Sequence, residues 1–387
     1  MLRWSSINDA FSLLRKLISY DTVSPEGKQY EEFAKFVKGW FEERGIEAKI
    51  EYVDKDYRSK VCPTGSERPI IIAKVGDGDP LLEFNGHYDV VPPGEGWESD
   101  PFDAKLVNGY VIGRGAVDMK GGVAAIMLAM ANLSNWKGSE IKAVLVPDEE
   151  VGGLCGTAYR VNALKDKYPV GKKVVIAEPS SRTVWIGHKG VIWLEVEVSG
   201  VQAHASMPWV GENAFIKAAS LAIEIDRALK EEFSKTFSKY EYTSGHPMAK
   251  FTVYNIGGVA YSTSNKENVI PGSFKFSIDV RTVPEVRPED VVRKIEEIVE
   301  GRGKVRVKFV DQGILNENSE LAELIEKTWG EPKRVCEAGL DMRFYRGYDV
   351  VTWGPGDSME AHKPNEKIRL TEVEEFAKRY AKLPYLL

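Results

Sequence analysis

The residues of this chain best suited to chemistry are histidines and carboxylates standing at the ends of apolar runs. The first group is Phe84-Asn85-Gly86-His87-Tyr88-Asp89-Val90-Val91-Pro92, which follows Leu81 and Leu82. It reads as a buried strand that leaves into a loop at Pro92 and Pro93. Residues two apart on a strand share a face, so His87 and Asp89 stand side by side while Tyr88 points away. A carboxylate so placed can accept the N–H of the ring nitrogen that a metal does not use, which fixes the tautomer and strengthens the imidazole as a donor. The same pair also serves as an ordinary polar couple at a strand end, and alone it does not choose.

Other acidic groups repeat the placement. Strand 141–147 delivers Asp148-Glu149-Glu150 and then Gly152-Gly153. Three carboxylates in a row usually mark a solvated turn, yet a strand this apolar is expected to be central, and ligands of open α/β sheets collect beyond the carboxyl ends of strands. Lys173–Ala177 ends the same way in Glu178-Pro179-Ser180, and Asp349–Trp353 runs through Gly354-Pro355-Gly356-Asp357-Ser358 to His362. Asp118 lies where a glycine-rich loop, Gly113 to Gly122, meets a helix rich in Ala, Met and Leu from Met119 to Leu133; an N-cap is the plain alternative there. Together these are His87, Asp118, Glu150, Glu178 and His362, with Asp89 and Glu149 beside them. Two histidines and three carboxylates without a thiolate suit two borderline divalent ions sharing one carboxylate, zinc fitting best and Co2+ or Mn2+ as substitutes. Ions ~3.5–4 Å apart can hold a water between them.

The elements that must gather these groups follow from the rest of the chain. At 387 residues two domains are expected. With 52 basic against 58 acidic residues and no Lys/Arg block, nucleic acid is not an expected partner. The start, Met1 to Tyr20, has no cleavable apolar core, and the longest apolar stretch, Val123 to Leu133, is too short to span a bilayer, so the expectation is a soluble, cytoplasmic protein with no membrane partner. Cys62, Cys155 and Cys336, with no Cys-x-x-Cys pair, argue against a disulfide framework or a thiolate zinc site.

Residues 6–45 carry two helical patterns, β-like runs follow at 47–53, 69–75 and 81–85, and 103–113 reads as a strand or hairpin. From Val191 the pattern changes. Strand Val191–Val198, helix Asn213–Phe233, strands Lys250–Gly257 and Ser273–Thr282, helix Pro288–Glu300 and strand Lys304–Val310 give βαββαβ, the ferredoxin-like unit. The chain then returns to α/β alternation: helix Ser319–Thr328, strand 333–337, helix 341–346, strand Asp349–Trp353 and a last helix from Glu372. The expected architecture is therefore an α/β domain in two segments, 1–188 and 312–387, interrupted by an α+β module at 189–311.

Five motifs in order now carry a resemblance: Gly86-His87-x-Asp89-x-Val91-Pro92, Gly115-x-x-Asp118-x-Lys120-Gly121-Gly122, Asp148-Glu149-Glu150-x-Gly152-Gly153, Glu178-Pro179-Ser180 and the late His362. They are similar to those of the co-catalytic zinc family of acetylornithine deacetylase, succinyl-diaminopimelate desuccinylase, aminoacylase and glutamate carboxypeptidase, over nearly the whole chain. The resemblance implies a zinc-peptidase-like catalytic domain, a mixed central sheet with flanking helices, plus an inserted lid and dimerisation domain. It implies that His87, Glu178, Glu150 and His362 hold two zinc ions with Asp118 bridging, that the peptide after Asp118 is cis, and that Glu149 is the general base. Neighbouring strand-end residues point apart, so Glu149 and Glu150 differ in role, but the residues alone do not say which binds metal; the family does. Asp89 joins Glu149 as a group the reaction needs.

In the inserted module, Gly200-Val201-Gln202-Ala203-His204-Ala205-Ser206-x-Pro208 resembles the family's lid motif, whose histidine reaches the partner subunit's site and steadies the tetrahedral oxyanion. On its own His204 reads as a surface loop histidine. Asn268 and Arg281 look like substrate-binding positions; Arg281 could clamp a carboxylate with two prongs or form an ordinary ion pair. The expected activity is hydrolysis of the amide bond of a small N-acyl amino acid by a homodimer, with a carboxypeptidase, aminopeptidase or dipeptidase action as the alternative. A non-catalytic metal-dependent binding protein would be expected to lack Glu149 or a ligand, and a two-metal phosphoesterase would need a phosphate cradle that the sequence does not offer. Ala338-Gly339-Leu340-Asp341 departs from the Gly-Thr run of many relatives, which puts the shape of the acyl pocket in doubt.

Overall fold

The computed structural model describes residues 7–264 and 266–387; the reading of the first six residues lies outside it. The chain forms two compact units. One holds the residues up to Ile186 with Asn316–Lys333 and Leu340–Leu387, the other Gly187–Leu315 with Arg334–Gly339. The sequence pattern assigns all of 312–387 to the first domain. Arg334–Gly339 groups with the second because Val335 is stitched to it: its N–H donates to Glu241 O at 2.9 Å and its carbonyl accepts from Thr243 N at 3.1 Å.

The first unit is built on a sheet with strands in the order Glu47–Tyr52, Pro69–Val75, Glu140–Val146, Pro80–His87, Lys173–Pro179, Asp349–Gly354. The last four run parallel and the first two antiparallel to their neighbours. Parallel strands are covered on both faces, and Leu82–His87, Ile141–Val146 and Val174–Pro179 are buried without a break. Because the four central strands point one way, His87, Asp148-Glu149-Glu150, Glu178 and the run toward His362 all emerge at one edge.

The helices that cover this sheet follow their sequence periods. Tyr30–Glu42 buries Tyr30, Phe33, Ala34, Val37 and Phe41, one helical stripe. Gly121–Asn132 is apolar all round and buried from Gly121 to Met130, as a core helix must be. A Cβ on Gly122 would lie 2.1 Å from the Ala177 carbonyl oxygen, so only glycine lets this helix press on the Glu178 strand. The segment read as helix 341–346 is a single 3-10 turn, Asp341–Tyr345. Residues 103–113 form the hairpin Lys105–Val107 and Tyr110–Ile112, to which Lys367–Arg369 adds an antiparallel strand.

One expectation is overturned. Cys62 and Cys155 are joined in a disulfide across 93 residues, with Cα atoms 5.7 Å apart, while Cys336 is free and buried. Cys62 caps a short helix, Lys55–Val61, that the sequence pattern does not announce, and Cys155 follows the Glu149-Glu150 turn. The two segments meet because Tyr57 Oη donates to Leu154 O at 3.1 Å and Asp54 N donates to Tyr159 Oη at 3.1 Å. No sequence spacing foretells such a non-local meeting.

In the second unit strands Val253–Ser262, Ser273–Thr282, Gly190–Ser199 and Lys304–Asp311 lie in that order, all antiparallel. Helices Ala214–Phe233 and Pro288–Val299 cover one face, packing Leu221, Ile225 and Ile295 on Ile192, Leu194, Val196 and Ile278. This is the ferredoxin-like arrangement of the βαββαβ succession. The strand expected from Lys250 begins at Val253, after a 3-10 turn over Pro247–Lys250 in which the His246 ring accepts from Met248 N. Among the described residues no helix is long and apolar enough to cross a membrane.

Candidate metal centre

Four parallel strand ends and one loop meet in the first unit. His87, the last residue of its strand, sets Nε2 3.1 Å from Asp118 Oδ1 and 3.2 Å from Glu178 Oε1. His362 sets its own Nε2 3.2 Å from Asp118 Oδ2 and 3.1 Å from the carboxylate oxygens of Glu150. The two oxygens of Asp118 thus face different histidines, each with a further carboxylate. Ligands on a tetrahedral ion with bonds of ~2.0–2.1 Å lie about 3.3 Å apart, so these separations suit donors around two neighbouring cations that share Asp118. Glu149 offers an oxygen within 4.8 Å of atoms of both His87 and Glu178.

Asp118 is not an N-cap. It lies in a kinked turn, Ala116–Lys120, before the helix that starts at Gly121, and the peptide bond to Met119 is cis. That turn aims its carboxylate at the histidines and away from the helix amides.

The expected role of Asp89 also changes. His87 Nδ1 lies 3.0 Å from the Asp89 backbone carbonyl but 3.4 Å from its carboxylate. The carboxylate instead accepts the backbone N–H of Glu149 and of Glu150, both at 3.1 Å. A single buried side chain therefore seats the turn that carries two of the site's carboxylates, while the backbone orients the imidazole. Asp148 anchors that turn from behind: it adopts φ +63°, and its carboxylate accepts from Arg68 Nε at 2.5 Å and Tyr30 Oη at 3.0 Å.

Electrostatics mark the site as short of cations. Burial, then the charge of Asp118, raises Glu150; burial lifts Glu178 to about 7. Burial followed by the charges of Asp341, Glu178 and Glu150 pushes Glu149 well above the usual carboxylate range. Hydrogen bonds to Asp118 and Glu150 lift His362 to about 10, and His87 is held well above its ordinary value, its burial being outweighed by Glu178, Asp118 and Asp89. Asp118, between the two rings, is held low by them despite its burial. Four carboxylates crowded around two imidazoles gain most from divalent cations. The donor set, oxygen and imidazole nitrogen without thiolate, fits borderline divalent metals.

Glu366 and Arg114, both buried and absent from the sequence reading, also support the site. Their only sequence signals are the Gly-Arg-Gly run at 113–115 and a Glu four residues after His362. The other expected residues belong to the second unit. His204 and Asn268 come together there through the short ladder of Ala203–His204 with Val269–Ile270, closed by Ala205 N donating to Asn268 O at 2.9 Å. The His204 ring is exposed, with Nδ1 2.7 Å from Ser206 Oγ. Arg281 makes its two-pronged contact to Asp279, at 2.8 and 3.0 Å.

Comparison with known proteins adds an independent view. The family model for peptidase family M20/M25/M40 matches residues 84–385. A succinyl-diaminopimelate desuccinylase of Nautilia profundicola is 30% identical over 385 residues, covering 95% of this chain and 97% of that protein. Among solved structures, an M20-family metallo-carboxypeptidase of Sulfolobus solfataricus superposes with TM-score 0.72 at 19% identity, covering 98% of this chain and 99% of that one. An aminopeptidase of Bacillus cereus does so equally, with TM-score 0.72, 19% identity and coverage of 98% and 99%.

Proposed function

The chain belongs to peptidase family M20/M25/M40, and from that premise we propose that it is a metal-dependent amidohydrolase that removes the acyl group of a small N-acyl amino acid. The observation that carries this reading is the divided carboxylate of Asp118, one oxygen toward His87 and the other toward His362. His87, Glu178 and Asp118 would hold one ion, and His362, Glu150 and Asp118 the other, with zinc the ion this donor set favours. A pair of divalent ions supplies a more acidic water and polarisation of the scissile carbonyl.

The chain's own residues do the rest. Glu149 stands beside His87 and Glu178, burial holds its carboxyl well above the usual carboxylate range, and it matches the general base of the family; it serves as the base that takes the proton of water and as the acid that passes it to the leaving amine nitrogen. Asp89 holds the Glu149 and Glu150 amides, which keeps base and ligand in register. His204, from the second unit of a partner in a homodimer, would donate to the developing oxyanion, and Asn268 and Arg281 would contact the substrate's polar end. For Arg281 that means the edge of the guanidinium not used on Asp279.

Glu149→Ala is the test. Both metal equivalents and the thermal midpoint should be retained while kcat falls ~10²–10⁴-fold, the usual share of a general acid–base group; near-normal turnover would remove Glu149 from the reaction. Assaying N-acetylornithine, N-succinyl-diaminopimelate, an N-acyl-lysine and a blocked dipeptide side by side fixes the substrate class, and preference for the dipeptide would replace deacylation with peptidase action.

A further inference from the structure

Asp89 has a counterpart that the mechanism above does not use. Glu366 is fully buried, and its Oε1 accepts the backbone N–H of Val117 at 2.8 Å and of Asp118 at 3.0 Å. Its Oε2 accepts from Arg114 Nη1 at 2.5 Å. Arg114, also buried, donates through Nη2 to the carbonyls of Pro93 at 3.1 Å and His362 at 3.3 Å, and Trp97 packs its ring 5.2 Å from the guanidinium carbon.

The pair is assembled by local strand pairing. Register Lys367↔Ile112 between antiparallel strands sets Glu366 opposite Gly113, whose N–H donates to Glu366 O at 2.9 Å, and Arg114 follows directly. One ion pair therefore touches the backbone of Asp118, of His362 and of the loop after Asp89. His362 sits at φ +64°, a conformation that a side-chain-bearing residue keeps only where its surroundings enforce it. Its carbonyl is tied to Arg114, and the three-residue link between His362 and Glu366 has both ends on the pair.

We propose that the Arg114–Glu366 pair is a positioning device that preorganises Asp118 and His362 before any metal arrives, and that it governs the position shared by Asp118, Glu150 and His362. The other position takes only Asp118 from this region and depends on the pair less, because its remaining donors, His87 and Glu178, are carried by strand ends of the central sheet. This rests on the two-ion reading of the site, and the geometry divides the site's supports in two: Asp89 holds the Glu149 and Glu150 amides, Glu366 those of Val117 and Asp118. Charge-assisted acceptors of this kind are the strong ones.

Two measurements on the full chain test it. In the metal-free protein, Glu366→Gln should speed amide hydrogen exchange at Val117 and Asp118 at least tenfold while Glu149 and Glu150 keep their rates; equal acceleration at both pairs, or none, overturns the proposal. In Co2+ titrations of metal-free protein, the wild type should take two equivalents, and Glu366→Gln and Arg114→Met should keep one of them within about threefold while the other weakens at least tenfold. Two unaltered equivalents, or both weakened alike, overturn the positioning role. A wild type that takes only one equivalent removes the two-ion reading and this proposal with it. Should Arg114→Met fail to fold, the near-isosteric Glu366→Gln and the exchange comparison decide the matter.

Discussion

The two units use their sheets in opposite ways. In the first, the central parallel strands are buried on both faces, and a carboxylate inside it is held by two donors: Glu83, fully buried, accepts from Arg160 Nη2 at 2.6 Å and from Tyr345 Oη at 2.8 Å. In the second, one face rests on two helices and the other carries exposed Trp193 and Val259 along with Lys275 and Lys308 paired to Glu195. The difference teaches where precision is stored. A sheet covered on both sides cannot shift one strand without disturbing its neighbours, so groups at its strand ends are held at fixed separations. A half-covered sheet has no such constraint: Arg281 on it, and His204 on the separate two-stranded ladder of the same unit, rest on local partners instead.

This contrast can be broken by experiment. The largest effect is expected inside the first sheet. Glu83→Ala leaves Arg160 buried without its carboxylate and should cost about 3–5 kcal/mol in urea unfolding; a loss under about 1 kcal/mol would mean that this interior is wetter and looser than its burial implies. Next comes the staple at that unit's edge. Cys62→Ser opens a loop of 93 residues and should cost about 2–4 kcal/mol. The wild type should lose the same amount in reductant and the variant nothing further, and a wild type indifferent to reductant would show that the bond does not support the fold. The smallest effect belongs to the open face: Val259→Thr should change stability by no more than about 0.5 kcal/mol. A cost above about 1 kcal/mol there would mean that this face is covered and that the two sheets are alike after all.

Much of the architecture was legible before any coordinates. The βαββαβ succession from Val191 to Val310 led straight to the strand order of the second unit, because hydrophobic periods of 2 and 3.6 residues report which face each element buries. His87, Asp118, Glu150, Glu178 and His362 stood out for a similar reason: each follows an apolar run or opens a buried helix, and polar groups at such places need partners. The supports of the site were not legible. Asp89 suggested a carboxylate bonded to the His87 ring, yet its oxygens go to the Glu149 and Glu150 amides, which lie 60 and 61 residues away. Arg114 and Glu366 are 252 residues apart, Arg68 and Asp148 80, and Cys62 and Cys155 93. Nothing local distinguishes these residues from surface charges or free thiols.

The division has a physical basis. Local pattern decides what each segment buries, so the chain by itself determined its elements, their order, and the kind of donor available at each strand end. Which donors face one another depends on strand order and on backbone amides left over at turns, and those are settled only when the sheet closes. Only tertiary structure decided that Asp118 turns one oxygen to each histidine, and that Asp89 and Glu366 spend their charge on the backbone beside the candidate metal ligands.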